Sequence, residues 1–173
     1  MNRKPLLQLL CVILPILVLD YVSKAWVDSS LSPIYLGADV FPFGGIPVFR
    51  NFLGIDFCLN YVFNHGAAWG LFSSMKNLLL ITRISVILGM IAYIGFSPKS
   101  VKYHFPLSLI IAGATGNVAD YFIYGHVVDM FHFIFWGHSF AVFNIADSAI
   151  FCGIVWMMLQ SFLSRRSYAQ TES

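Results

Sequence analysis

The sequence predicts an all-α polytopic membrane protein with four transmembrane helices, and three observations carry that prediction. Of 173 residues, 58% are hydrophobic and only 10% are charged, against about a quarter charged in a soluble domain. One water-facing fold cannot hide that much apolar side chain, so lipid must solvate much of it. Four runs, about 6–23, 77–96, 105–123 and 143–163, approach the roughly 20 apolar residues that a membrane-crossing helix needs. Basic pairs then fall on one side of such a bundle, Arg3 and Lys4, Lys99 and Lys102, Arg165 and Arg166, while Arg50 and Lys76 fall in the long first loop, which weighs less. The positive-inside rule makes that side cytoplasmic and puts both termini there.

Taken in order, the first run follows a basic start as a secretory signal does. No small-x-small cleavage site follows it, and it ends in Asp20-Tyr-Val-Ser-Lys24, so an uncleaved span is expected. Residues 24–76 form a long extracytoplasmic loop. Within it Ser29–Gly45 is rich in Pro, Gly and Ser and reads as irregular. Phe49–Phe63 has strand-like composition, which gives a small part-β region between helices 1 and 2, able to lie on the outer surface and cover a site. The third run is interrupted by Gly113, Gly116, Asn117 and Asp120, a pattern tolerated where a helix lines a cavity. Residues 124–142 lie outside, with aromatic side chains of interfacial type. The fourth run is the cleanest, about 21 residues at roughly 1.5 Å each, or about 31 Å. Residues 1–164 thus read as one membrane-embedded domain, and 165–173 as a polar, disordered cytoplasmic tail.

On this topology the polar residues agree in depth. Asp20 and Lys24 end span one, Asn117, Asp120 and Asp129 run from span three into the next loop, and Asn144 and Asp147 begin span four. All fall at the outer face. Carboxylates near hydrocarbon are costly and normally have a functional reason and a partner. Asp20 and Lys24 stand at i and i+4, a good ion-pair spacing; the plain reading of that pair is a salt bridge anchoring the helix end. Asn144, Asp147 and Ser148 share a helix face, as do Asn117, Asp120, Tyr121 and Tyr124. Facing each other, the two sets make a polar notch, and Asp129 with Asp147 suggests a coupled acid/base pair.

Other chemistries are weaker. His126, Asp129, His132 and His138 sit within 13 residues, which suits zinc, but no His-Glu-x-x-His motif is present. No Gly-x-Ser-x-Gly occurs either. Cys11, Cys58 and Cys152 give neither a disulfide framework nor ligand spacing, and a formal charge of +2 gives no reason to invoke nucleic acid. A small membrane protein moving a cation or proton through outer-leaflet carboxylates remains the alternative from another class.

Four blocks, in order, resemble those of lipoprotein signal peptidase (signal peptidase II), the intramembrane aspartic peptidase of the bacterial inner membrane. They are Asp20-x-x-Ser-Lys24, Asn64-His-Gly66-Ala-Ala-Trp-Gly70, Gly116-Asn117-Val-Ala-Asp120 with Gly125-His-Val-Val-Asp129, and Phe143-Asn144-Ile-Ala-Asp147-Ser148. By this resemblance Asp129 and Asp147 are the catalytic aspartates, and Asp20, Lys24, Asn64, Gly66, Asn117, Asp120, Tyr121 and Asn144 support them or contact substrate. The implied activity is removal of the signal peptide from diacylglyceryl-modified prolipoproteins just before the lipidated cysteine. It implies a monomer in membrane lipid, with its site near the periplasmic face, and neither metal nor organic cofactor. One departure stands out: the family usually has Arg after the third-block Asp, where this chain has Tyr121. Another cation, Lys24, is the candidate substitute.

Overall fold

Large apolar side chains stand on the outside of this molecule. Val18, Leu19, Leu78, Ile81, Met158 and Phe162 are all exposed, as suits a protein whose solvent is partly hydrocarbon. The computed structural model describes residues 3–34, 40–65, 75–96 and 102–171. Among them are four long helices: α1 (Arg3–Ser30), α2 (Lys76–Phe96), α3 (His104–Ile123) and α4 (Ile145–Thr171). Stretches of three, Leu10–Ser30, Asn77–Phe96 and Ile145–Ser164, are long and apolar enough to cross a membrane.

The third helix differs. Its Leu107, Ile111, Ala112, Asn117 and Asp120 are buried, and it packs against α1, α2 and α4. Small residues make the fit possible. A Cβ on Gly113 would lie 2.2 Å from the Ala146 carbonyl oxygen, and one on Gly116 would lie 2.6 Å from Asp20 Oδ2. The polar interruptions of α3 therefore face protein, as a cavity-lining helix requires.

The expectation of an all-α protein needs correction. Strands β1 (Ile46–Phe52), β2 (Ile55–Asn64), β3 (Val127–Phe135) and β4 (His138–Ser139) form one antiparallel sheet in that order. The segment Phe49–Phe63 is not one strand but parts of two, turned at Leu53 (φ 53°) and Gly54 (φ 82°). That pair of left-handed residues makes the two-residue hairpin loop that matches strand twist. Leu at the first position hides the signal. The sheet also draws two strands from 124–142, outside the region between helices 1 and 2. Val127-Val-Asp-Met-Phe-His-Phe-Ile-Phe135 carries the β-branched and aromatic residues strands favour, and Trp136 and Gly137 repeat the left-handed turn (φ 48° and 80°).

Helix ends also moved. The first helix continues past Ser23 to Ser30 because the Lys24 charge is compensated and Val27 packs in a small core with Tyr61, Val128 and Met130. That core seats the sheet on α1. The fourth helix starts at Ile145, so Phe143 and Asn144 precede it, and its backbone stays helical to Thr171, where an irregular tail was expected.

Candidate active site

The polar residues of α1, α3, β3 and α4 meet in one hydrogen-bonded cluster with two halves. Lys24 centres the first. Its Nζ lies 2.7 Å from Asp20 Oδ2 and 2.7 Å from Asp120 Oδ2, and it donates to Asn117 Oδ1 at 3.0 Å. Lys24 is wholly buried, with Asp20 and Asp120 only 2% and 3% exposed. The remaining carboxylate valences take backbone donors: Ala146 N–H to Asp20 Oδ1 at 2.8 Å and Val128 N–H to Asp120 Oδ2 at 3.2 Å. One cation is thereby shared by two carboxylates, and each carboxylate ties its helix to a neighbouring element.

Asn144 links this half to the second. Its side chain and that of Asp147 make a reciprocal cap at the start of α4: Asp147 N–H donates to Asn144 Oδ1 at 2.8 Å, and Asn144 N–H donates to Asp147 Oδ2 at 3.3 Å. This is a capping box with Asp at the third helical position. Asn144 is therefore a cap and not, as its spacing suggests, a member of the helical face. Its Nδ2 donates to Asp129 Oδ1 at 2.7 Å, with Asn117 Oδ1 and the Val128 carbonyl close by at 3.1 and 3.2 Å. Asn117 Nδ2 donates to Asp147 Oδ1 at 2.7 Å, and Asn64 Nδ2 to Asp129 Oδ2 at 2.9 Å.

Asp129 and Asp147 are thus held by amides alone. Among the described residues neither forms an ion pair, and both accept hydrogen bonds from the same residue, Asn144. Asp129 is 1% exposed. Burial first, and the Asp147 charge second, push its pKa up to about 7. Two such groups favour sharing one proton. Asp129 also opens onto a cleft of about 350 Å³ walled by Val62, Phe63, Phe140 and Val142, with Asn64 and Ser139 as its other polar residues. The strand-like segment Phe49–Phe63 thus supplies one wall, through Val62 and Phe63. The cleft suits an apolar ligand presenting a polar bond to a carboxylate.

Of the residues singled out in the sequence, Asp20, Lys24, Asn64, Asn117, Asp120, Asp129, Asn144 and Asp147 come together. Tyr121 does not. Its hydroxyl donates to Asn77 Oδ1 on α2 at 2.8 Å, and Lys24 supplies the cation beside Asp120. Gly66 lies outside the described residues. The histidines point to other partners: His132 bonds Asn60 and Ser139, and His126 contacts the Tyr61 hydroxyl at 3.3 Å. Among the described residues no three His, Cys, Asp or Glu side chains gather as a metal site would need. Sequence reading passed over Ser139, whose place in the cleft depends on the unrecognised β3–β4 hairpin.

A family profile described as "Signal peptidase (SPase) II" matches residues 12–163. The lipoprotein signal peptidase of Chlamydia pneumoniae is 41% identical over 119 residues, covering 68% of this chain and 69% of that protein. That of Clostridium acetobutylicum is 34% identical over 155 residues, covering 88% and 92%. In fold the chain is similar to a bacterial membrane enzyme solved by the in meso method, with a TM-score of 0.72 at 22% identity over 93% of this chain and 90% of that one.

Proposed function

The chain belongs to the signal peptidase II family, and on that premise we propose that Asp129 and Asp147 are the pair with which it cuts its substrate. It is a membrane peptidase that removes signal peptides from prolipoproteins. The observation that carries the site assignment is Asn144: one buried residue donates to both carboxylates, and no cation touches either among the described residues. The rest of the cluster acts as the frame.

The raised pKa of Asp129 suits it to hold the shared proton and donate it to the scissile carbonyl oxygen. Asp147 stands in the first turn of α4, where the helix N-terminus favours negative charge. It takes the proton of the attacking water. The carbonyl carbon becomes tetrahedral, its C–N bond breaks, and the amine leaves with a proton returned through the pair. Asn64, Asn117 and Asn144 fix the carboxylate planes, so little reorganisation is needed as charge develops.

We extend this reading to the setting. Helix α3 also crosses the membrane, as the third of four spans, both termini are cytoplasmic, and 1–164 form one membrane unit with 165–173 as its cytoplasmic tail. The site then lies at the outer face, where the lipidated cysteine of an exported precursor would sit with its acyl chains in lipid. A single chain supplies every residue of the cluster, which supports a working monomer. The ion-pathway alternative gives way to the family assignment. The test is cleavage of a synthetic diacylglyceryl prolipoprotein by the purified protein. Asp129→Asn and Asp147→Asn should each lose about 10²-fold or more in turnover while keeping their thermal transition. Near-normal cleavage by either folded variant overturns the assignment.

A further inference from the structure

Ser139, which lines the same cleft, belongs to a second constellation of catalytic type on the sheet that involves neither aspartate. Ser139 is exposed, and its Oγ lies 2.6 Å from His132 Nε2. His132 is buried, and its Nδ1 lies 2.8 Å from Asn60 Oδ1. The Asn60 amide is oriented by its other end, where Nδ2 donates to the Pro42 carbonyl at 2.8 Å. An amide oxygen can only accept, so Nδ1 carries the ring proton. In the neutral ring, the form that burial favours for His132, Nε2 keeps a lone pair aimed at Ser139. The hydroxyl has one proton to give; its other acceptor, the Phe140 carbonyl, is at 3.4 Å, so the proton goes to His132. The Phe43 ring lies against the imidazole with centroids 4.9 Å apart and fixes its plane.

A hydroxyl, a base in the right tautomer and a third group that orients the base are what nucleophilic catalysis requires. We propose that Ser139, His132 and Asn60 form a nucleophilic centre that accepts acyl groups from carboxylic esters with apolar chains. The acyl transfer follows from the Ser139–His132 geometry, and the apolar chain from the cleft, whose Phe63, Phe140, Val62 and Val142 walls suit hydrocarbon. Ser139 Oγ attacks the ester carbonyl carbon as its proton passes to His132 Nε2. The bond from that carbon to the alcohol oxygen breaks, and the alcohol leaves with the proton from His132. Water, deprotonated by the same imidazole, then releases the carboxylic acid and restores the hydroxyl. No cofactor or oxidant enters.

The structural alternative is a hydrogen-bonded pin between β2, β3 and β4. An alkyl fluorophosphonate separates the two, because a serine activated in this way displaces fluoride and keeps the phosphoryl group. The full-length protein in detergent is treated with the probe and the modified peptide is found by mass spectrometry. The expected adduct is on Ser139 in the parent, and equally in Asp147→Asn, which the peptidase reading predicts to be inactive on prolipoprotein. Ser139→Ala removes the adduct, and His132→Gln lowers its rate of formation at least tenfold. A thermal transition checks that Ser139→Ala and His132→Gln both remain folded. No adduct on Ser139 of the folded parent overturns the proposal. So does labelling that His132→Gln leaves unchanged, since the serine would then need no base. Neither result bears on the aspartate pair, and loss of labelling in folded Asp147→Asn likewise overturns the proposal of a centre independent of the aspartates.

Discussion

The two halves of the buried cluster contain the same chemical groups in opposite electrostatic circumstances. Asp20 and Asp120 share the Lys24 ammonium at 2.7 Å each. Asp129 and Asp147, joined to them through Asn117 and Asn144, have only neutral amides and backbone donors. Burial alone therefore does not mark a reactive carboxylate. Where a cation accompanies it, burial makes a rivet between helices; at Asp129, where none does, burial and the Asp147 charge push the carboxyl up to about 7, which is what acid/base work needs.

The strongest way to break this contrast is Lys24→Met. It leaves Asp20 and Asp120 facing each other with no cation, and removing one partner of a buried pair costs on the order of 3–5 kcal/mol. A large fall in the thermal transition in detergent is expected, with poor yield of folded protein. An unchanged transition would mean that the compensated half is not structural.

Asp129→Asn should act with the opposite sign. An unfolded carboxyl ionises near 3.9, whereas folded Asp129 does so near 7. Between those values the native state holds a proton that the unfolded state has lost. Stability therefore falls as pH rises through that window, by at most about 1.4 kcal/mol per pH unit, and levels off above it. Asp129→Asn should flatten the fall, as read from thermal transitions at pH 4 to 8. Turnover of the parent that depends on protonated Asp129 should decline above about pH 7.

Gly116→Ala probes how closely the rivet is packed. Its new methyl would stand 2.6 Å from Asp20 Oδ2, and overpacking of that kind costs about 1–3 kcal/mol. The thermal transition should drop accordingly, with remaining folded protein still active. The smallest effect belongs to Tyr121→Phe, which removes one hydrogen bond to Asn77, about 0.5–1.5 kcal/mol. Its cleavage rate should stay within a few-fold of the parent, and a loss as complete as that of an aspartate variant would place Tyr121 in the chemistry.

Much of this was legible in the chain because hydrocarbon makes polar residues conspicuous. Asp20, Lys24, Asn117, Asp120 and Asp147 each interrupt or flank an apolar run, and their common depth points to one site. Substitution of Lys24 for the absent arginine was legible too, as the candidate cation beside Asp120. The hairpins were not. Leu53 and Trp136 occupy left-handed turn positions normally given to Gly, Asn or Asp, so neither turn announces itself. Missing β3–β4 meant that Ser139 and its histidine stayed unpaired on the page. The capping role of Asn144 was hidden for a different reason: helix ends are uncertain by a residue or two in any sequence reading, and Asn144 lies one residue outside α4.

The contrast between the halves is tested most directly by infrared titration of the carboxyl groups in the parent, Asp129→Asn and Asp147→Asn. One carboxyl of the parent should lose its proton near pH 7, vanish from the spectrum in Asp129→Asn, and titrate at lower pH in Asp147→Asn, where the neighbouring charge is gone. A parent with no carboxyl titrating above about pH 5, or a neutral-pH titration that persists in Asp129→Asn, would contradict the assignment of the shared proton to that residue.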